Sequence, residues 1–199
     1  DSSKATKMNK MFKNCRSLTH LDVTNFDTSK AKKLQSFFEG CSLLTSIDVS
    51  HFDTSSCTDM EAMFYGCNNL TSLDVTSFDT SKVTCMLKMF SNCTTLTTLD
   101  LSHFDTSVVQ TMESMFEFSN KLTELDLSNF RTGSLENMKS IFHNCSSLAS
   151  LDISNFDTKS VTTMELAFCN CTSLASLDIT HFDTSNVKNM NNMFCFCAL

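Results

Sequence analysis

Seven times the chain sets an aspartate between two residues that want burial. The sites are Leu21-Asp22-Val23, Ile47-Asp48-Val49, Leu73-Asp74-Val75, Leu99-Asp100-Leu101, Leu125-Asp126-Leu127, Leu151-Asp152-Ile153 and Leu177-Asp178-Ile179. They fall 26 residues apart without an insertion or deletion. A fixed period of this length marks stacked units and restricts the fold before any element is assigned. Each unit runs approximately L-T-x-L-D-V-S-x-F-D-T-S-x-V-x-x-M-x-x-M-F-x-N-C-x-x. Seven full units span 18–43, 44–69, 70–95, 96–121, 122–147, 148–173 and 174–199, and 1–17 is the last part of another. No residues remain for a second domain, so 1–199 is expected to be one repeat domain, read as a fragment of a longer array. One unit cannot bury its own apolar face, so the units must stack into a solenoid.

Within a unit the periodicity changes. Thr71 to Thr76 alternates polar and apolar, with Leu73 and Val75 on one face, which predicts a short half-buried strand. From Val83 the apolar residues fall at Val83, Met86, Met89, Phe90 and Cys93, spacings that predict one stripe of a helix. Asp79 or Thr80 fits its N-cap. The residue before the recurrent cysteine is Asn14, Gly40, Gly66, Asn92, Asn144 or Asn170, types suited to a left-handed helix C-cap. The expected fold class is therefore α/β: a right-handed solenoid with short parallel strands on one face and helices on the other. Leu18 and its equivalents through Leu174 should form one buried column. Phe26, Phe52, Phe78, Phe104, Phe130, Phe156 and Phe182 should form another, of offset rings.

The L-x-x-L-x-V spacing resembles a leucine-rich repeat. The full unit, with its FDTS, M-x-x-MF and NC blocks, resembles the BspA-like leucine-rich-repeat surface proteins and the repeat lipoproteins of mycoplasmas. That resemblance covers the whole chain. It implies a curved β/α solenoid and a cell-surface or secreted protein that binds host or neighbouring-cell protein or glycan. It supplies no catalytic motif and no cofactor or metal site.

With Leu73 and Val75 inward, Asp74 must point outward, flanked by Ser72 and Thr76. The column Asp22, Asp48, Asp74, Asp100, Asp126, Asp152 and Asp178 is thus the candidate ligand-facing ladder. Like charges on neighbouring strands cost about 0.2–1 kcal/mol per pair. Two offsets stand open: hydrogen bonds to adjacent hydroxyls, or a surface for cations, basic segments or sugar hydroxyls. A second column, Asp1, Asp27, Asp53, Asp79, Asp105, Asp157 and Asp183, broken by Arg131, reads as helix caps.

The chain has 11 cysteines. Cys15, Cys41, Cys67, Cys93, Cys145, Cys171 and Cys197 occupy one repeat position, with Ser119 in the missing place, and read as buried free thiols. Cys57 replaces a core valine. Cys85, Cys169 and Cys195 fall off the stripe, where partial exposure is expected, and no zinc knuckle is complete. Ser50-His51-Phe52-Asp53, Ser102-His103-Phe104-Asp105 and Thr180-His181-Phe182-Asp183 each gather the residue types of a triad. Other units carry Asn or Ser in place of the histidine, and neighbours on one strand rarely supply triad geometry. Three of the four N-x-S/T sequons fall on the capping asparagines.

One stretch departs from the pattern: Glu117, Phe118, Glu124 and Arg131 form a candidate irregular contact patch, as against simple drift of a degenerate unit. The net charge of −7 and the lack of a basic stripe with interleaved aromatics argue against nucleic acid. No apolar run spans a membrane. The functional expectation is a non-enzymatic cell-surface recognition or adhesion module using the strand face. The alternative is a structural array that self-associates through its ends.

Overall fold

The computed structural model describes residues 2–198. Asp1, counted above in the second aspartate column, and Leu199 lie outside the described residues. The chain forms a solenoid of stacked 26-residue coils around one continuous apolar core. Regular strand is brief: β1 (Thr98–Leu99) and β2 (Glu124–Leu125) pair in parallel, Thr98 with Glu124 and Leu99 with Leu125. Around the coil a second parallel ladder links Lys33, Asp59, Cys85, Thr111, Asn137, Thr163 and Asn189, one residue from each repeat.

The expected helices do not form: among the described residues there is no α-helix. The reason lies in where the amides go. Met86, Lys88, Phe90 and Asn92 donate to the carbonyls of Thr111, Glu113, Met115 and Glu117, each 25 residues ahead, at 2.7–3.0 Å. The alternate amides, Met89 and Ser91, close turns on Met86 and Lys88. Lys88 and Asn92 also take left-handed φ of 56° and 59°, which no α-helix tolerates. Spacings of three in the apolar stripe are therefore the spans of successive turns. Val75 to Phe78, Thr80 to Val83, Met86 to Met89 and Cys93 to Leu96 are each closed by an i→i−3 bond. A polygonal coil with a buried residue at its corners yields the same sequence spacing as a helix stripe.

The left-handed position expected before each cysteine is real, but it belongs to this turn stack. Gly40 and Gly66 have φ of 72°, and Asn14, Asn92, Asn144 and Asn170 lie near 60°. Four residues earlier a second left-handed site recurs, at Lys10, Ser36, Ala62, Lys88, Ser114, Ser140, Leu166 and Asn192. Each non-glycine residue there costs roughly 1–2 kcal/mol, offset from Lys10 to Leu166 by the inter-repeat hydrogen bond that its amide makes.

Leu44, Leu70, Leu96, Leu122, Leu148 and Leu174 are buried as one column. The continuous ring stack is a different one from that expected. It runs through the M-x-x-MF phenylalanines, from Phe12 and Phe38 through Phe64, Phe90, Phe116, Phe142 and Phe168 to Phe194, at 5.5–6.0 Å. The FDTS phenylalanines from Phe52 to Phe156 are buried too. Among the described residues only Phe130 and Phe156 of that column stack on each other, at 6.3 Å.

Candidate functional site

Leu73 and Val75 point into the core, and Asp74 between them is exposed, as is every member of its ladder. Each carboxylate closes the chain on itself. Asp22, Asp74 and Asp178 accept through Oδ1 from both the amide (2.9 Å) and the hydroxyl (2.7 Å) of Thr24, Thr76 and Thr180. Asp48 does the same with Ser50, and Asp100, Asp126 and Asp152 accept from the amides of Ser102, Ser128 and Ser154. These donors hold the ladder carboxyls below their ordinary value. For Asp74 the hydroxyl of Thr76 contributes most, and the charges of Asp100 and Asp48 push weakly the other way. Among the described residues Oδ2 of these seven accepts no hydrogen bond and no ion pair.

The second aspartate column caps turns, not helices. Asp27, Asp53, Asp79, Asp105, Asp157 and Asp183 accept from the amide two residues on. Beside them runs a ladder that sequence reasoning missed. Thr28, Thr54, Thr80, Thr132 and Thr158 are buried, and each donates its hydroxyl to a carbonyl of the next repeat at 2.9 Å. Thr106 does so to Arg131 at 3.1 Å. The signal was present: a threonine follows the FDTS aspartate or its Arg131 substitute in every full repeat.

The cysteine ladder is an inward row of weak donors. Cys67, Cys93, Cys145 and Cys171 point their thiols at Phe38, Phe64, Phe116 and Phe142 carbonyls, at 3.1–3.4 Å. Ser119 keeps that bond, donating to Phe90 at 2.8 Å. Its departure from the pattern is chemically conservative. Burial pushes the thiol of Cys41 up to about 11 and those of Cys93 and Cys171 to about 12.

Cys169 and Cys195 form a disulfide, Cα atoms 4.6 Å apart. Cys169 is buried rather than part-exposed as the off-stripe reading expected, because it faces its equivalent one repeat on. Their separation of 26 was the legible clue. In the same column Lys13 pairs with Glu39 at 2.9 Å and Glu117 with His143 at 2.9 Å. One rung position thus holds an ion pair, a carboxylate–imidazole hydrogen bond or a covalent bond.

The histidines are inter-repeat clamps. His51 Nε2 lies 2.7 Å from the Val23 carbonyl and His181 Nε2 3.0 Å from that of Ile153. Asn129 and Asn155 clamp one residue further along the preceding repeat, donating to the Ser102 and Ser128 carbonyls. His103 instead meets Ser102 Oγ at 3.1 Å, while Asp105 is engaged with the Ser107 amide. Asp59, Glu61 and Cys85 bring two carboxylates and a thiol within 4.8 Å of one another. These are donors suited to a borderline divalent ion, yet Lys33 already pairs with Asp59 and Gln35 donates to Glu61.

The irregular residues divide. Exposed Phe118, at φ 61°, rests its ring 5.3 Å from that of His143, which also holds Glu117. Glu124 lies in β2 and pairs across to Thr98. Arg131 lines a groove of about 320 Å³ with Ser128, Asn129, Gly133 and Asp157. Among the described residues no hydrogen bond, ion pair or ring contact joins these to the Glu117–Phe118 pair.

A family model described as Mycoplasma protein of unknown function, DUF285, matches residues 6–125, 33–152 and 118–198. The chain belongs to the DUF285 family. This DUF285 chain is also similar in fold to a crystal structure of a leucine-rich repeat protein from Eubacterium ventriosum. The two are 21% identical with a TM-score of 0.57, over 86% of this chain and 42% of that one. A leucine-rich repeat protein from Bacteroides ovatus aligns at 17% identity over 91% of this chain and 64% of that one, with a TM-score of 0.27. The first likeness speaks for the fold alone, and the chain spans about two-fifths of that relative's length. The family match and the solenoid fold place the chain among the BspA-like leucine-rich-repeat proteins. No curated protein matches the sequence. Among the described residues no helix is long and apolar enough to cross a membrane.

Proposed function

We propose that this DUF285 chain is a non-enzymatic recognition module of the cell surface or of a secreted protein, which binds a host or neighbouring-cell protein or glycan through its strand face. One observation carries the reading. Each ladder aspartate spends Oδ1 on its own turn, while Oδ2 takes no protein partner among the described residues. Seven spare anionic acceptors stand in register, beside outward hydroxyls, on a face that costs repulsion to maintain. Such a row suits lysine and arginine side chains or sugar hydroxyls. The Cys169–Cys195 disulfide supports an oxidising, extracellular setting.

The test replaces Asp74, Asp100 and Asp126 with asparagine, which keeps the Oδ1 acceptor and removes the charge. Wild type and variant are compared on immobilised extracellular-matrix proteins and glycans. Binding by wild type that the variant loses supports the proposal; retention of full binding by the variant overturns it.

A second reading, end-to-end self-association, is favoured by the polarity of the turn-side ladder. Its inter-repeat bonds in 34–40 and 86–92 run from an amide to a carbonyl of the next repeat. Any free edge of one kind is therefore complementary to one of the other. Light scattering separates the two, since a monodisperse monomer at all concentrations rules out the array.

A further inference from the structure

Lys4, Lys7, Lys10, Lys13 and Arg16 recur every third residue, and all five are exposed. No other repeat carries a basic residue at all five of these positions. The next repeat adds Lys30, Lys32 and Lys33. Residues 1–33 thus hold eight of the 15 basic residues and three of the 22 acidic ones, a net +5, whereas 34–199 carry −12. An overall charge of −7 hides this division.

The coil makes the spacing meaningful. Residues 10, 12 and 14 donate to the carbonyls of 35, 37 and 39, so the first row is stacked on the second in register. Lys7 and Lys33, and Lys4 and Lys30, occupy equivalent positions of adjacent repeats, and Lys30 Nζ reaches across to the Ser3 carbonyl. Like charges so placed are destabilising unless something offsets them. Within the protein the offset is partial: Lys13 pairs with Glu39, Lys33 with Asp59, and Lys30 donates to the Ser3 carbonyl. Lys4, Lys7, Lys10 and Arg16 make no ion pair among the described residues.

We propose that this row binds an anionic linear glycan. A polymer can follow one rung and meet the four unpaired cations, with only Lys13 engaged by an acidic neighbour, Glu39. A flat anionic membrane would meet the acidic body as well. The aspartate ladder of a second copy runs across the rungs, not along one, and would cross the row at a single point. The row also offers no exposed aromatic ring on which a nucleobase would stack, Phe12 being half-buried against the core. This surface is separate from the strand face and does not rest on that reading.

The probe is a size-defined heparin oligosaccharide, measured by calorimetry over a salt series. Wild type should bind, with affinity falling linearly in log–log coordinates as salt displaces counterions. Replacing Lys4, Lys7 and Lys10 with glutamine should weaken binding about tenfold or more and make that slope shallower by about two. A control with Lys82, Lys121 and Lys188 replaced should bind as wild type. Independently of any variant, heparin should shield the amines of Lys4, Lys7 and Lys10 from acetylation in the native chain. The proposal is overturned by absence of binding, by equal loss in the control, or by unshielded amines. Equal binding of a single-stranded oligonucleotide, preference for anionic vesicles, or salt-sensitive self-association through the row would overturn it as well.

Discussion

Thr80 offers the sharpest test of what holds one coil to the next. The residue is 1% exposed, and its hydroxyl donates to the Asp105 carbonyl at 2.9 Å. Thr80→Val preserves shape and removes only the donor. A buried acceptor left without its partner costs about 1–3 kcal/mol, and the added methyl recovers little because the site is already filled. Thr80→Ser keeps the donor and loses one methyl, about 0.8 kcal/mol of apolar transfer. Valine should therefore destabilise more than serine, the reverse of what hydrophobic packing alone demands. Because repeats interact chiefly with their neighbours, Thr28→Val and Thr158→Val should add nearly independently to it. Urea unfolding followed by circular dichroism measures all three, singly and combined. If Thr80→Val proves neutral or stabilising while Thr80→Ser costs more, the threonine ladder is filler and the argument for it fails.

Three further outcomes are expected. Twelve aspartates across the two columns have folded-state values lowered by acceptor bonds, for example Asp22, Asp79 and Asp178. Lowered carboxyls lend stability above their unfolded value of 3.8 that disappears as pH falls through the folded one. Melting temperature should thus hold at neutral pH and drop below about pH 4, and a flat profile down to pH 2 would contradict the capping role. In the unfolded, unreduced protein nine thiols should react with a thiol reagent, and eleven after reduction, the difference being Cys169 and Cys195. In the native state Cys93 and Cys171 should resist, held near 12 by burial. Finally, Phe118→Asn relieves a left-handed phenylalanine at the loss of one half-exposed ring contact. It should raise stability by about 0.5–1 kcal/mol, and a decrease in urea midpoint would refute the strain.

The period of 26, the buried leucine column and the outward aspartates were legible because each depends on one fact, that equivalent residues stack. The turn side was not, and the reason is specific. Val83, Met86, Met89 and Phe90 carry spacings that both a helix and a run of three-residue turns produce. Side-chain spacing cannot tell them apart, because the difference lies in the amides. A lone repeat would satisfy them internally. A stacked one can send Met86, Lys88, Phe90 and Asn92 to the next coil instead. Only the rarity of left-handed residues argues the other way locally, and the sequence hides that too. Ser36, Ala62, Lys88 and Leu166 all adopt φ between 54° and 58° without a glycine among them. The neighbour's carbonyls impose the conformation, not the residue's own preference.

The same logic bears on the candidate surfaces. A ladder is functional evidence only in what remains after the fold has taken its share. The cysteines, histidines and second aspartates are largely consumed: thiols and imidazoles reach carbonyls of the preceding repeat, and Asp79 closes its own turn. The strand-face aspartates are consumed by half, one oxygen each. The row from Lys4 to Arg16 is hardly consumed at all, since Glu39 alone answers it with an ion pair. The proposed glycan site therefore rests on cations that make few bonds within the protein, more so than the aspartates do. The lysine variants should therefore leave the urea midpoint unchanged or raise it, because removing them relieves repulsion without breaking a bond. A clear loss of stability in Lys4→Gln, Lys7→Gln and Lys10→Gln would show that the row serves the fold after all.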